Sequence, residues 1–243
     1  ALGLELYLRV APELYLKRLL VGGFDKVYEV NKSFRNEGIS TRHNPEFTML
    51  EVYTAYHDVN DVMALCEELI RDAAKAVSAA MPQFERVSFA KLMKDAFGIS
   101  PDEETGEWVK KLKAKGHDIK GDNISRTQII NIVAELLDAQ IKNSGPVFVT
   151  EYFAELSPLA RNNAKNPLLS DRFELYIGGI EIANGYSEQN DPVQQRARFE
   201  EVAAEAKKDK TKAVDEDYLT ALEHGMPPAG GLGIGIDRLV MIL

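Results

Sequence analysis

Two segments far apart in the chain contain the residues best suited to binding a polyphosphate. The first, FRNEGISTRHNPEF, covers residues 34–47, and the second, GGLGIGIDR, covers residues 230–238. Arginine binds phosphate through paired hydrogen bonds, and glycine lets backbone approach a ligand closely. The glycine-rich segment lacks the Lys-Ser/Thr ending that a P-loop needs. The two segments therefore predict a polyphosphate site of another kind.

Arg35 ends a predicted strand and opens a long loop that also contains Arg42, His43 and Asn44. Several hydrogen-bond donors in one loop can converge on one anion. A lone arginine at a strand end is usually a surface charge, but these companions favour a binding site.

The strand that follows this loop predicts a cationic ligand. Successive side chains of a strand alternate between its faces. If Phe47 faces the ligand, the carboxylate of Glu51 and the phenol of Tyr53 face the same cleft. A buried carboxylate is costly unless it is paired, and a cationic substrate would pair it. The residues predicted to share this face are Phe47, Met49, Glu51 and Tyr53.

A third segment, RFELYIGGIEIANGYSEQND at residues 172–191, contains several acidic residues. Gly178 and Gly179 suit a two-residue hairpin turn, which places Tyr176 opposite Glu181 and Glu174 one diagonal step away. Two carboxylates that close repel unless they share a proton or a cation. Mg²⁺ accepts one or two carboxylates and keeps room for phosphate oxygens, whereas the alternative is an exposed acidic hairpin.

Residues further along this strand are out of phase with Glu181. A regular strand would turn Asn184, Tyr186 and Glu188 to the opposite face. A β-bulge near residues 183–185 would return them to the cleft. Their use in a site therefore predicts such a bulge.

The remaining patterns predict one domain of mixed α and β structure over residues 1–243, in which two strands joined by the loop around residues 38–44 are antiparallel. Pro12 opens a short helix that ends before Gly22, Asp61 caps a long amphipathic helix, and residues 84–143 are mainly helical. The helices are expected over residues 13–20, 61–79 and 193–207, and the strands over residues 26–34, 47–56, 146–152, 173–177 and 180–186.

Composition narrows the functional classes. A net charge of −9 argues against a surface that mainly wraps nucleic acid, and the lysine-rich runs 110–115 and 207–212 are typical of solvated surface. No apolar run approaches the ~20 residues of a membrane span. Cys66 is the only cysteine, which excludes an intramolecular disulfide and favours a reducing cytoplasm.

Residues 34–47 and 230–238 resemble motifs 2 and 3 of class II aminoacyl-tRNA synthetases. LYLRVAPELYLKRLLVGGF, PVFVTEYFAELSPLAR and EIANGYSEQND further resemble the bacterial lysyl members of that family. The resemblance implies the class II catalytic fold, an α+β fold with an antiparallel β-sheet flanked by helices. It implies ATP-dependent activation of L-lysine to lysyl-adenylate. It also implies Mg²⁺, transfer of the lysyl group to the 3′ end of tRNA(Lys), and a homodimer in the full-length protein.

The resemblance also implies roles for individual residues. Arg35 matches the arginine between the ATP α-phosphate and the amino-acid carboxylate, and Arg238 matches the motif 3 arginine at the γ-phosphate, so both are expected to be catalytic. Glu174 and Glu181 match the metal ligands. The ATP contacts are expected from Arg35, Glu37, Arg42, His43, Asn44, Phe47, Glu174, Glu181 and Arg238. The lysine contacts are expected from Glu13, Arg35, Glu51, Tyr53, Asn184, Tyr186 and Glu188.

We find no segment of this sequence that resembles motif 1 or the anticodon-binding β-barrel of the family, so we expect an incomplete catalytic domain. Two alternatives remain open: a lysyltransferase that modifies a translation factor protein, and an inactive synthetase-like module used for regulation or interaction. Gly233 favours the synthetase over the protein-modifying paralogue, which has alanine there. An inactive module would be marked by loss of Arg35, Glu181 or Arg238, and all are present.

Overall fold

The computed structural model describes residues 3–4, 6–119, 124–138, 141, 145–206 and 214–243. The helices are α1 Glu13–Val21, α2 Val59–Ala76, α3 Phe89–Phe97, α4 Thr105–Ala114, α5 Arg126–Asp138, α6 Pro192–Ala206, α7 Glu216–Glu223 and α8 Ile236–Ile242, with a 3₁₀ turn at Ala154–Leu156. The strands are β1 Lys26–Phe34, β2 Glu46–Ala55, β3 Glu85–Ser88, β4 Val147–Thr150, β5 Arg172–Ile177, β6 Ile180–Ser187 and β7 Ala229–Gly235.

The seven strands form one sheet in the order β1-β2-β7-β6-β5-β4-β3. Neighbouring strands are antiparallel, except that β3 and β4 at one edge are parallel. The α+β class and the antiparallel character are therefore confirmed, with one parallel pair that the sequence did not predict. Among the described residues, no helix is both long and apolar enough to cross a membrane.

The start of α2 differs from the prediction. Asp58, not Asp61, is the N-cap: its side chain accepts hydrogen bonds from the backbone N–H groups of Asn60 and Asp61. The Asp61 carboxylate in turn accepts from the Asp58 N–H at 2.9 Å. Both acidic side chains therefore satisfy free N–H groups of the first turn in a capping box, which starts the helix at Val59.

The long loop at residues 35–45 is presented by a regular hairpin. Strands β1 and β2 pair antiparallel from Lys26 opposite Thr54 to Phe34 opposite Glu46. The loop therefore emerges at one end of the sheet, where its arginines can reach the neighbouring strands.

The glycine-rich segment forms a central strand, β7, which the sequence did not predict because glycine has low strand propensity. It is paired on both sides, with β2 and with β6. Hydrogen bonds from two neighbours thus stabilise a strand that its own side chains favour only weakly.

The two faces of the sheet centre have different roles. On one face Leu232 and Ile234 pack with Val62, Cys66 and Ile70 of α2 in an apolar core. A second core surrounds Trp108 in the helical segment, and a third joins α1 to α7. The opposite face of the sheet centre carries the polar side chains described next.

Candidate active site

The bulge needed to align the acidic segment is present in β6. Tyr176 pairs with Glu181 as predicted, but Leu175 pairs with Ala183, so Ile182 is the extra residue. Ile182 and Ala183 are consecutive and both are buried in the α2 core. The phase of the strand therefore changes between Glu181 and Asn184, one residue before the predicted position. As a result Glu181 and Asn184 line the same cleft.

Glycines form the floor of the site. Along β7, Gly231, Gly233 and Gly235 lie opposite Tyr53, Glu51 and Met49 of β2, respectively. On the other side, Gly231 lies opposite Tyr186 and Gly233 opposite Asn184. Because these glycines have no side chains, side chains from β2 and the end of β6 lie directly over the β7 backbone: Tyr53 and Glu188 over Gly231, and Met49 over Gly233.

Gly233 and Gly235 line a cleft with a volume of about 380 Å³. Most residues expected to contact ATP share this cleft, together with Asn184 from the expected lysine set. They are Arg35, Glu37, Arg42, His43, Asn44, Phe47, Glu181, Asn184 and Arg238.

The loop side of the cleft is held by local contacts and by the β5–β6 hairpin. The Arg35 guanidinium lies over the Phe47 ring, 5.1 Å from its centroid. Arg42 donates to the carbonyl of Gly179 at 3.2 Å, and His43 Nδ1 lies 3.0 Å from the Ser40 hydroxyl. His43 Nε2 is 3.8 Å from Glu37. The loop therefore points its donors into the cleft.

Arg238 faces that loop from α8. Its guanidinium donates to the Glu181 carbonyl at 2.8 Å and to the Glu181 carboxylate at 3.1 Å. Partial burial, together with the nearby charge of Glu174, raises the pKa of Glu181 to about 7. Glu181 thus combines an arginine contact with a carboxylate that resists ionisation, and a cation nearby would favour its charged form.

Glu174 lies on the expected face but is not a free carboxylate. One oxygen pairs with Arg172, and the other accepts from the hydroxyls of Tyr152 at 2.9 Å and Tyr176 at 2.6 Å. Two unpaired carboxylates side by side, as the hairpin pattern suggested, are therefore not what the structure contains. Within the described residues, no group of three or more His, Cys, Asp or Glu side chains converges to hold a metal.

Beyond the cleft, a buried cluster of charged side chains lies between α1, β2 and the end of β6, and we call it the acidic pocket. Glu13 accepts from the Tyr186 hydroxyl and from Lys17 Nζ, each at 2.5 Å. Lys17 also forms an ion pair with Glu188, and both of these side chains are fully buried. Burial raises the pKa of Glu188 to about 8 against the opposing effect of Lys17, whose own pKa is raised by Glu13 and Glu188 despite its burial.

Glu51 and Tyr53 connect the pocket to the cleft. The Tyr53 hydroxyl donates to the Glu51 carboxylate at 2.8 Å, so the two side chains share a face as predicted. Burial raises the pKa of Glu51 to about 7, and the neighbouring Glu13 charge adds to the shift. The carboxylates of Glu13 and Glu51, together with the Tyr53 phenol, therefore make the environment of Glu51 unfavourable for a further negative charge.

Sequence reasoning missed three side chains that organise the site. Lys17 follows Glu13 by four residues, a spacing that usually marks an exposed helical ion pair. Arg172 precedes Glu174 by two residues on one strand face, which is a usable signal. Asp237 accepts from the Thr48 N–H at 2.6 Å and ties α8 to β2, but no sequence pattern indicated this contact.

The site thus combines an antiparallel sheet with glycines at its centre, a cleft lined by arginines, and an acidic pocket beside the cleft. Residues 2–243 match the family of class II tRNA synthetases (D, K and N), and the chain belongs to that family. Its relatives include the lysine–tRNA ligase of Carboxydothermus hydrogenoformans, 48% identical over 260 residues, which cover 100% of this chain and 53% of the relative. The corresponding enzyme of Pelotomaculum thermopropionicum is 49% identical over 262 residues, or 100% of this chain and 51% of the relative. The chain thus spans about half the length of these curated relatives.

Proposed function

We propose that this chain provides the catalytic site of a lysine–tRNA ligase, which activates L-lysine with ATP to form lysyl-adenylate. The observation that carries the proposal is the acidic pocket of Glu13, Glu51 and Glu188 beside an arginine-lined cleft. An acidic amino acid would meet like charge in this pocket. A substrate with two ammonium groups is complementary to it, since opposite charges favour ionisation of buried carboxylates.

Activation needs positioning and charge stabilisation. The lysine carboxylate attacks the α-phosphate of ATP, a P–O bond forms to the carboxylate oxygen, and the bond to pyrophosphate breaks. We assign Arg35 to the α-phosphate and the carboxylate, and Arg238 and Arg42 to the phosphates that leave. Fixed guanidinium groups at the place where negative charge develops lower the barrier without a covalent enzyme intermediate.

The remaining cleft residues orient the nucleotide in this proposal. Phe47 stacks on adenine once Arg35 has turned to the phosphates, while Glu37, His43 and Asn44 contact the base, ribose or phosphates. Asn184 lies between the cleft and the acidic pocket, which suits contact with the amino acid.

Magnesium fits this site in part. Glu181 suits it, because its carboxylate borders the cleft and its pKa is raised to about 7 beside Glu174. Glu174 contributes negative charge, and its oxygens become ligands only if contacts with Arg172 or the tyrosines are exchanged. When bound with ATP, Mg²⁺ would neutralise phosphate charge, with most of its other ligands being phosphate oxygens and water.

The whole-protein reaction includes transfer of the lysyl group to the 3′ end of tRNA(Lys). The relatives named above support this step by their names, and a homodimer in the cytoplasm is the assembly and compartment that we assign to the full protein. Nothing in the site favours a protein substrate over tRNA.

ATP–pyrophosphate exchange with each of the twenty amino acids tests the proposal directly. We expect exchange that depends on lysine and on Mg²⁺. Exchange supported by aspartate or asparagine, or none with lysine under conditions in which MgATP binds, would contradict the assignment.

A further inference from the structure

The side chain of Lys17 lies inside the pocket that the proposed function assigns to the amino groups of the substrate. Its side chain is 0% exposed, and its Nζ contacts Glu13 Oε1 at 2.5 Å and pairs with Glu188 Oε2. The same nitrogen lies 5.9 Å and 5.5 Å from the ring centroids of Tyr53 and Tyr186. The chain therefore places a cation of its own between the two carboxylates.

We propose that Lys17 is a positioning residue for lysine recognition, which bridges Glu13 and Glu188, favours the charged form of Glu188 and leaves Glu188 Oε1 free to accept the ε-ammonium of the substrate. This inference rests on the proposed function and adds a residue that acts through Glu188.

The first argument is the repulsion between the carboxylates. Glu13 and Glu188 each contact the same ammonium, so they lie close together in a pocket where Glu188 is 1% exposed. Without a cation between them, two buried carboxylates repel and one of them takes up a proton. A protonated Glu188 has lost the charge that binds an ammonium group. Lys17 therefore lowers the cost of ionising Glu188, the form that binds an ammonium group.

The second argument is an unsatisfied oxygen. Among the described residues, neither oxygen of Glu188 has a hydrogen bond of normal geometry, but Oε2 is in ion-pair contact with Lys17. Oε1 lies against the backbone of Gly231, since a side-chain carbon there would overlap it. A buried unpaired acceptor costs free energy until a donor arrives. Lys17 contacts Oε2, so Oε1 is the oxygen available to a second ammonium group.

The position of Lys17 in α1 argues against a different role, in which it blocks the pocket and must leave before lysine binds. Its helix neighbours Leu16 and Leu20 are buried in the core shared with Tyr218 and Leu222 of α7. This packing fixes the backbone of Lys17 beside the pocket, and contacts with Glu13 and Glu188 hold the ammonium there.

The charge state of Glu188 depends on several elements packed around it. The titratable and charged groups that face it are Glu13 and Lys17 from α1, Glu51 and Tyr53 from β2, Tyr186 from β6, and Tyr218 from α7. Lys17 is the only cation among these groups. Its removal therefore raises the pKa of Glu188.

The test measures lysine and ATP binding by calorimetry in the unaltered chain and in Lys17→Met, between pH 6.5 and 8.5. We expect Lys17→Met to weaken lysine binding about thirtyfold or more at pH 7.5, which is about 2 kcal/mol at 1.4 kcal/mol per tenfold, with ATP binding little changed. Lysine affinity of the unaltered chain should rise across this range, since Glu188 is half ionised near pH 8. In Lys17→Met this rise should move to higher pH, because the cation that favours ionised Glu188 is gone.

Two further variants distinguish loss of the Lys17 charge from a general folding defect. Lys17→Gln keeps hydrogen-bond donors without the charge and should show the same lysine defect and the same pH shift. Lys17→Arg keeps the charge and should recover part of the affinity. Lys91→Met is the matched control, because Lys91 forms an exposed pair with Asp95 on α3.

Normal lysine affinity in both Lys17→Met and Lys17→Gln would overturn the inference while leaving the proposed function intact. Tighter lysine binding in these variants would also overturn it, since Lys17 would then be a competitor of the substrate. Failure of the unaltered chain to show lysine-dependent pyrophosphate exchange would instead count against the proposed function itself.

Discussion

Lys17 of α1 and Glu188 at the end of β6 form an ion pair in which neither side chain is exposed to solvent. Removing both charges from water is expensive, so a buried pair of this kind is a weak source of stability. Glu188 still has one oxygen without a partner, which adds to the cost. The buried pair is therefore better explained by ligand binding than by a contribution to folding. Variants at Glu188 should accordingly affect binding more than stability.

Glu188→Gln should weaken lysine binding far more than ATP binding. The amide keeps the volume but removes the charge that we assign to the ε-ammonium, and loss of one partner of a buried charge pair costs on the order of 2 to 5 kcal/mol. Separate calorimetric titrations with lysine and with ATP measure the two effects. Glu107→Gln, in an exposed helical pair with Lys110, is the matched control. Equal losses for both ligands would mean that Glu188 is structural.

Two glycines of the floor should respond differently to alanine. At Gly231 the new methyl group would overlap Glu188 Oε1 and lie 2.8 Å from the Tyr53 ring, so lysine binding should be lost. At Gly233 it would lie 3.1 Å from the terminal methyl group of Met49, which can move aside. Gly233→Ala should therefore retain lysine-dependent pyrophosphate exchange. Similar loss in both variants would argue against a pocket centred on Gly231.

Glu174 and Glu181 should also separate in function. Glu174→Gln leaves the buried Arg172 guanidinium without its anionic partner and should lower the melting temperature, since breaking a buried pair costs about 3 to 5 kcal/mol. Glu181→Gln should leave the melting temperature nearly unchanged but reduce Mg²⁺-dependent ATP binding. Differential scanning fluorimetry and ATP titrations with and without Mg²⁺ measure these effects. A stable Glu174→Gln protein would mean that the tyrosine hydroxyls alone hold the position.

The ligand-free protein should lose stability as pH rises from about 5 to 8. The pKa values of Glu51 and Glu181 are raised to about 7 and that of Glu188 to about 8, above their ordinary values, so the folded state keeps protons that the unfolded chain has released. For the buried Glu51 and Glu188, each such proton changes the free energy of unfolding by up to about 1.4 kcal/mol per pH unit. The side chain of Glu181 is 39% exposed, so solvent screening makes its contribution smaller.

Urea unfolding at half-unit pH steps measures this slope. The buried Glu51 gives the cleanest comparison, and Glu51→Gln should show a shallower loss between pH 5 and 7. Lysine together with MgATP should restore stability at pH 8, because the ligands bind the ionised carboxylates. An unchanged slope in Glu51→Gln would show that this group ionises normally.

The sequence by itself determined the features that depend on local periodicity and turn chemistry. The shared face of Phe47 and Tyr53 follows from the two-residue repeat of a strand, and the pairing of Tyr176 with Glu181 follows from the Gly178-Gly179 turn. The need for a bulge followed from strand parity. These inferences involve residues close together in the chain, for which backbone geometry leaves few alternatives.

Only the tertiary structure decided which charges are paired and where the bulge lies. The bulge falls at Ile182 because both Ile182 and Ala183 enter the apolar core. Lys17 has the spacing of a surface ion pair with Glu13, but packing of α1 against α7 turns it inward to meet Glu188. Burial and long-range pairing depend on how distant elements pack, and a local pattern of residues contains no measure of that distance.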